Sequence, residues 1–116
     1  MGISFEGIGQ VLATFAVEDG VAEGSVVTMT ANGTVGLGSG GSLPCGVLVT
    51  MEEDGMGAVQ IEGMASVDYS GTAAPEAGYA MLACDGQGGV KTVESGGLTC
   101  LVVSVDEDSQ TAVIKL

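Results

Sequence analysis

The chain has 116 residues, the size of one ordinary domain. Fifteen Asp and Glu stand against two cations, Lys91 and Lys115, for a formal net charge of −13, and His, Arg and Trp are absent. That balance excludes nucleic acid, anionic membrane surfaces and polyanionic ligands as expected partners, and it removes the commonest general base and metal ligand.

Apolar residues make up 46% of the chain, enough for a core and unlike an acidic disordered tail. Taken in chain order, residues 10–17 place Val11, Ala13, Phe15 and Val17 on one face, the period of a half-buried strand. Residues 25–30 predict a second strand ending at Asn32-Gly33, a hairpin-turn signal. Strands at 45–51 and 57–61 flank the acidic turn EEDG, with Asp54 and Gly55 at its tip. Further strands follow at 64–69, 79–84, 99–105 and 111–116, with Asp85 and Gly86 marking another turn. The 21 glycines leave no window of helical length, and residues 75–78 (PEAG) give a single helical turn at most. The expected fold is all-β: a compact antiparallel β-barrel or sandwich of about 8–10 short strands.

Residues 1–9 read as an N-terminal segment, a flexible arm or an added strand, and 10–116 as a single β domain. Slid against itself by 54 residues, the chain brings Gly9 onto Gly63, Phe15 onto Tyr69, Gly24 onto Gly78 and Val49 onto Val103. Ala58 and Val59 then fall on Ala112 and Val113, and the acidic run 52–54 on 106–108, while Cys45 and Cys100 need a one-residue slip. Such a pattern comes from an internal duplication, with repeats at 5–58 and 59–116, or from chance matches in a glycine-rich chain. Two copies are too few for a solenoid array.

The motifs carry little catalytic chemistry. GLGSGG at 36–41 satisfies the dinucleotide pattern, but Pro44 and a strand follow where a helix N-terminus has to receive the pyrophosphate. It reads as a mobile surface loop. The two acidic runs offer oxygen ligands, but contiguous carboxylates on a strand point to opposite faces, so solvated turns are expected and no metal. Cys45, Cys84 and Cys100 are odd in number and without CxxC spacing, which reads as reduced structural thiols. A Ser or Cys nucleophile would lack an imidazole partner, so no enzyme, catalytic residue or cofactor is expected. Residues 1–7 have neither a basic region nor an apolar stretch, and no apolar run approaches the roughly 18 residues of a span, so the protein is expected to be soluble, made in the cytoplasm and not secreted.

AEGSVVTM at 22–29, CGVLV at 45–49, VQIEGMASV at 59–67 and EAGYAML at 76–82 together resemble the strand motifs of tailed-phage capsid decoration proteins, also called capsid cement or head stabilisation proteins. The likeness covers roughly residues 10–116; family members often carry Asp after the strand-opening Gly, where this chain has Ser25 and Tyr79. The resemblance implies a non-enzymatic structural protein of a phage or prophage virion. It implies binding of the major capsid protein on the capsid exterior, stabilisation of the assembled head, and a homo-oligomer, a trimer before a monomer. Ile3, Phe5 and Ile8 of the N-terminal segment are the candidate capsid or subunit contacts. Two other readings stay open: another virion β module, from a tail tube or head fibre, and a small-ligand or carbohydrate-binding β-sandwich with Tyr69 and Tyr79 on one concave face.

Overall fold

A computed structural model describes residues 9–71 and 74–116. Ten strands are present among them: β1 (Val11–Val17), β2 (Val26–Ala31), β3 (Thr34–Gly36), β4 (Gly46–Met51), β5 (Met56–Glu62), β6 (Met64–Asp68), β7 (Gly78–Cys84), β8 (Val90–Thr92), β9 (Leu98–Asp106) and β10 (Thr111–Lys115). The fold is all-β, as the alternation and the glycine turns require. The eight strands expected from sequence are all there, and β3 and β8 are additional.

β1 to β5 close into a barrel in the order β1-β3-β2-β4-β5. β6 to β10 form a second sheet in the order β6-β10-β9-β7-β8, whose outer strands are joined by a parallel bridge between Tyr69 and Val90. Followed the other way round, that sheet is β6-β8-β7-β9-β10. One connectivity is therefore used twice.

The expected antiparallel pairing holds at every strand contact but two. β1 runs parallel to β3, and Tyr69 is bridged in parallel to Val90. The reason is parity: strand direction cannot alternate all the way round a closed ring of five, so each circuit must contain a parallel seam.

Strand register aligns the two circuits residue by residue. Ala13 opposite Val59 becomes Ala65 opposite Ile114, Leu48 opposite Val59 becomes Val102 opposite Ile114, and Val17 opposite Val35 becomes Tyr69 opposite Val90. Even the irregularity recurs, because Val49 is skipped in the pairing of β4 and Val103 in that of β9. A 54-residue offset fits β4 and β9, but turn lengths shift it elsewhere. The counterpart of Tyr69 is thus Val17 rather than Phe15, that of Ile114 is Val59, and that of Cys100 is Gly46 rather than Cys45.

The core sits in two clusters. Val17, Val27, Val35, Leu48 and Val59 fill the first barrel. The larger cluster joins Leu82, Val90, Val102 and Ile114 of the second circuit to Val26 and Val47 of the first. An outer face of the first barrel is thus part of the second circuit's core. At roughly 1.5–3 kcal/mol for each fully buried Val, this shared face couples the halves. The radius of gyration is 13.2 Å, what one globule of this length gives.

Main-chain bonds stitch the same boundary: Val26 N–H to Gly88 C=O at 2.9 Å, Gly41 N–H to Cys84 C=O at 2.9 Å and Cys84 N–H to Ser42 C=O at 2.8 Å. Gln60, 4% exposed, adds its amide, donating to the carbonyls of Glu62 at 3.1 Å and Met64 at 3.0 Å across the step from β5 to β6. Buried Gln is tolerated because its polar atoms are satisfied. Both ends of the described chain meet at this step. Leu116 N–H bonds Gly63 C=O at 2.9 Å, and Gly9 lines a small concavity with Gly63 and Lys115.

Candidate binding surfaces

The two acidic turns each gather three carboxylates, at 52–54 and 106–108. Asp54 Oδ1 accepts the Met56 amide at 3.1 Å, and Asp106 Oδ1 accepts the Asp108 amide at 3.0 Å. Each run thus uses a carboxylate to hold its own hairpin, as Asx-type turns do. The remaining acids face solvent. Asp106, Glu107 and Asp108 line a wide-mouthed concavity of about 610 Å³ with Pro75, Glu76 and Ala77. Glu52, Glu53 and Asp54 line another of about 530 Å³ with Met51. Among the described residues, no group of three or more carboxylates and thiols is placed to hold a metal ion.

The acid with the most partners is Asp85. Its Oδ1 accepts the amides of Gln87 at 2.7 Å and Gly89 at 3.0 Å, and its Oδ2 accepts the Ser70 hydroxyl at 2.9 Å. Burial works against its charge, but these donors outweigh it and hold the carboxyl below the ordinary Asp range. Asp85 thereby ties the 85–89 loop to the residue that follows the Tyr69–Val90 bridge. Sequence reasoning assigned Asp85 only to a turn. The glycines around it were the legible signal, whereas the long-range partner Ser70 was not.

The three cysteines are free thiols, Cys84 and Cys100 buried and Cys45 half-buried. Burial pushes all three thiols up. Cys84, with Cys45 and Asp85 adding to the effect of burial, is pushed to about 11. None is primed as a thiolate nucleophile.

Within GLGSGG, Gly36 is buried at the end of β3 and residues 38–41 lie on the surface, and a strand follows, not a helix. The expectation of mobility meets a different arrangement: the loop is anchored to β7 through the two bonds at Cys84, and Ser42 Oγ accepts the Ser39 amide at 3.2 Å. Its work is to join the two circuits.

An aromatic platform for a sugar requires Tyr69 and Tyr79 side by side. They do not share a face: Tyr69 is 7% exposed within the larger core, and Tyr79 is 80% exposed on β7. Ile3, Phe5 and Ile8, the expected contact residues, lie outside the described residues.

No protein-family model matches the chain, and no curated protein is significantly similar to it.

Proposed function

We propose that this chain is a non-enzymatic structural protein of a phage or prophage virion that binds the major capsid protein on the outside of the assembled head and stabilises it. The observation that carries the reading is where the resemblance motifs fall. They span the entry to β2, the start of β4, the β5–β6 step and the entry to β7, and two of their glycines, Gly24 and Gly78, sit at φ 91° and 108°. Side chains rarely adopt that region, so these glycines are needed for the chain's path into the strand. The motifs therefore sit where the backbone needs glycine on its way into a strand. The surface supports the reading as well: an acidic exterior is repelled by packaged DNA, which suits a position on the capsid exterior.

The test is co-sedimentation with DNA-free capsids of the phage or prophage that encodes the chain, followed by thermal disassembly of those capsids. Saturable binding that raises the disassembly temperature is the expected result. Protein that stays in the supernatant, or that binds without moving that temperature, overturns the reading. A chain lacking residues 1–8 should bind more weakly if Ile3, Phe5 and Ile8 are the contacts. Rings or filaments of the pure protein would favour a tail component.

A further inference from the structure

We propose that the outward edge of β1 pairs with β1 of a second copy of this chain, antiparallel and about a twofold axis. β1 is bonded along its length to β5, but on its other side it meets β3 only at Ala16 and Val17. Ala16 and Glu18 send their amides to that side, to the carbonyls of Gly33 and Val35 at 2.9 Å each. By strand alternation Leu12 and Thr14 turn their amides and carbonyls the same way. Among the described residues, no main-chain or side-chain group bonds them.

This edge is also unguarded. Residues 10–17 (QVLATFAV) contain no charge, proline or glycine, the usual means of blunting an edge strand. Val11 is 43% exposed and Leu12 48%.

Charge points to a second copy as the occupant. At −13, most faces of two copies repel each other, whereas this strand brings no carboxylate of its own to the contact. With Ala13 set against Ala13 of the second copy, Leu12 stands opposite the other Thr14, and each such pair can exchange two main-chain bonds. The two Glu18 side chains then lie at opposite ends of the pair.

The symmetry follows from the other half of the molecule. β6, the counterpart of β1, does not offer an equivalent edge. Its Met64 carbonyl is taken by Gln60 Nε2, it ends in Asp68, and Ser66 shares a groove with Gly24 of the first circuit. With β1 as the open edge, self-pairing is isologous and closes as a dimer. This replaces the threefold arrangement that the family resemblance implies, and it does not rest on capsid binding.

Light scattering of the whole protein across a concentration series, at low and moderate salt, tests the proposal. The expected mass is two chains, falling twofold in Leu12→Lys and in Thr14→Pro. Leu12→Lys puts a charge at an exposed position, and Thr14→Pro removes an amide that bonds to no other described residue; an unchanged thermal transition shows that the variants fold. In the wild type, exchange of the Leu12 and Thr14 amides should slow as concentration rises. A mass of one chain throughout, a mass of three, or a dimer indifferent to both variants overturns the proposal. So does protection of those amides only on adding capsids, which would assign the edge to a foreign strand.

Discussion

In the first circuit two main-chain bonds hold the parallel seam, Ala16 N–H to Gly33 C=O and Glu18 N–H to Val35 C=O, both at 2.9 Å, and the Glu18 carboxylate also accepts the Thr30 hydroxyl of β2 at 3.1 Å. In the second circuit Ser70 N–H reaches Val90 C=O at 2.9 Å, the counterpart of the Glu18 bond. The counterpart of the Gly33 carbonyl is Gly88, and it accepts instead from Val26 of the other circuit. A carbonyl that closes the barrel in the first circuit bonds, in the second, across to the first. In place of that lost main-chain bond, the second seam has the Asp85 carboxylate, which accepts the Ser70 hydroxyl at 2.9 Å. The comparison teaches that a repeated connectivity need not repeat its energetics, because the contact that joins two units can be taken from the closure of one of them.

The largest expected effects probe whether the halves stand or fall together. Leu48→Ala in the first core and Ile114→Ala in the second should each cost about 2–5 kcal/mol. Both residues are fully buried, and the core containing Ile114 also includes Val26 and Val47. Each substitution should lower one shared calorimetric transition. Two transitions, with only one of them moved, would show that the shared face does not couple the circuits.

Asp85→Asn sharpens the comparison at the seams. Losing the charged acceptor should cost about 1–3 kcal/mol, with faster amide exchange at Ser70 and Val90 and little change at Glu18. The pH dependence has a defined sign. The folded carboxyl lies below its ordinary value near 3.9, so its stabilisation is present above that value and lost as pH falls through the folded one. The gap in Tm between wild type and Asp85→Asn should therefore be widest near neutrality and close below about pH 4. A gap that is constant with pH would mean that the carboxylate's charge is irrelevant.

The acidic turns give a smaller, reciprocal test. Gly55 has φ 82°, and its counterpart Gln110 has φ 55°, the one non-glycine at positive φ among the described residues. Left-handed backbone costs a side-chain-bearing residue about 1–2 kcal/mol. Gln110→Gly should stabilise by up to about 1 kcal/mol, and Gly55→Gln should destabilise by a similar amount, each read as a shift of a few degrees in thermal midpoint. A destabilising Gln110→Gly or a stabilising Gly55→Gln would show that the two turns are not equivalent. Smallest of all, millimolar calcium should leave the midpoint unmoved; a rise of several degrees would make ligands of the acidic runs.

How far the sequence could be read followed from the length of each signal. Strands of five residues or more announced themselves by alternation and β-branched content, as in residues 10–17. β3 and β8, three residues each, are too short for a period, and the glycines at 86, 88 and 89 make the approach to β8 read as loop. Those two strands form the parallel seams, so the closure of each circuit was hidden while its members were plain. The repeated connectivity was partly legible through Val49 and Val103, but no single offset survives turns of unequal length. Asp85 was visible as a turn residue, and its hold on Ser70 was not, because a contact across the fold leaves no local trace. The expected contacts Ile3, Phe5 and Ile8 lie outside the described residues.

The meeting of Gly9 and Leu116 at Gly63 has a practical consequence. Residues 9 and 116, the two ends of the described fold, meet at one point, the step between the circuits, so the described fold is topologically almost a loop. A short linker from residue 116 back to residue 9, with new ends opened at the Asn32-Gly33 hairpin, would give a circular permutant that keeps every strand pair. Cargo attached at residue 9 or at residue 116 would be presented from the same spot.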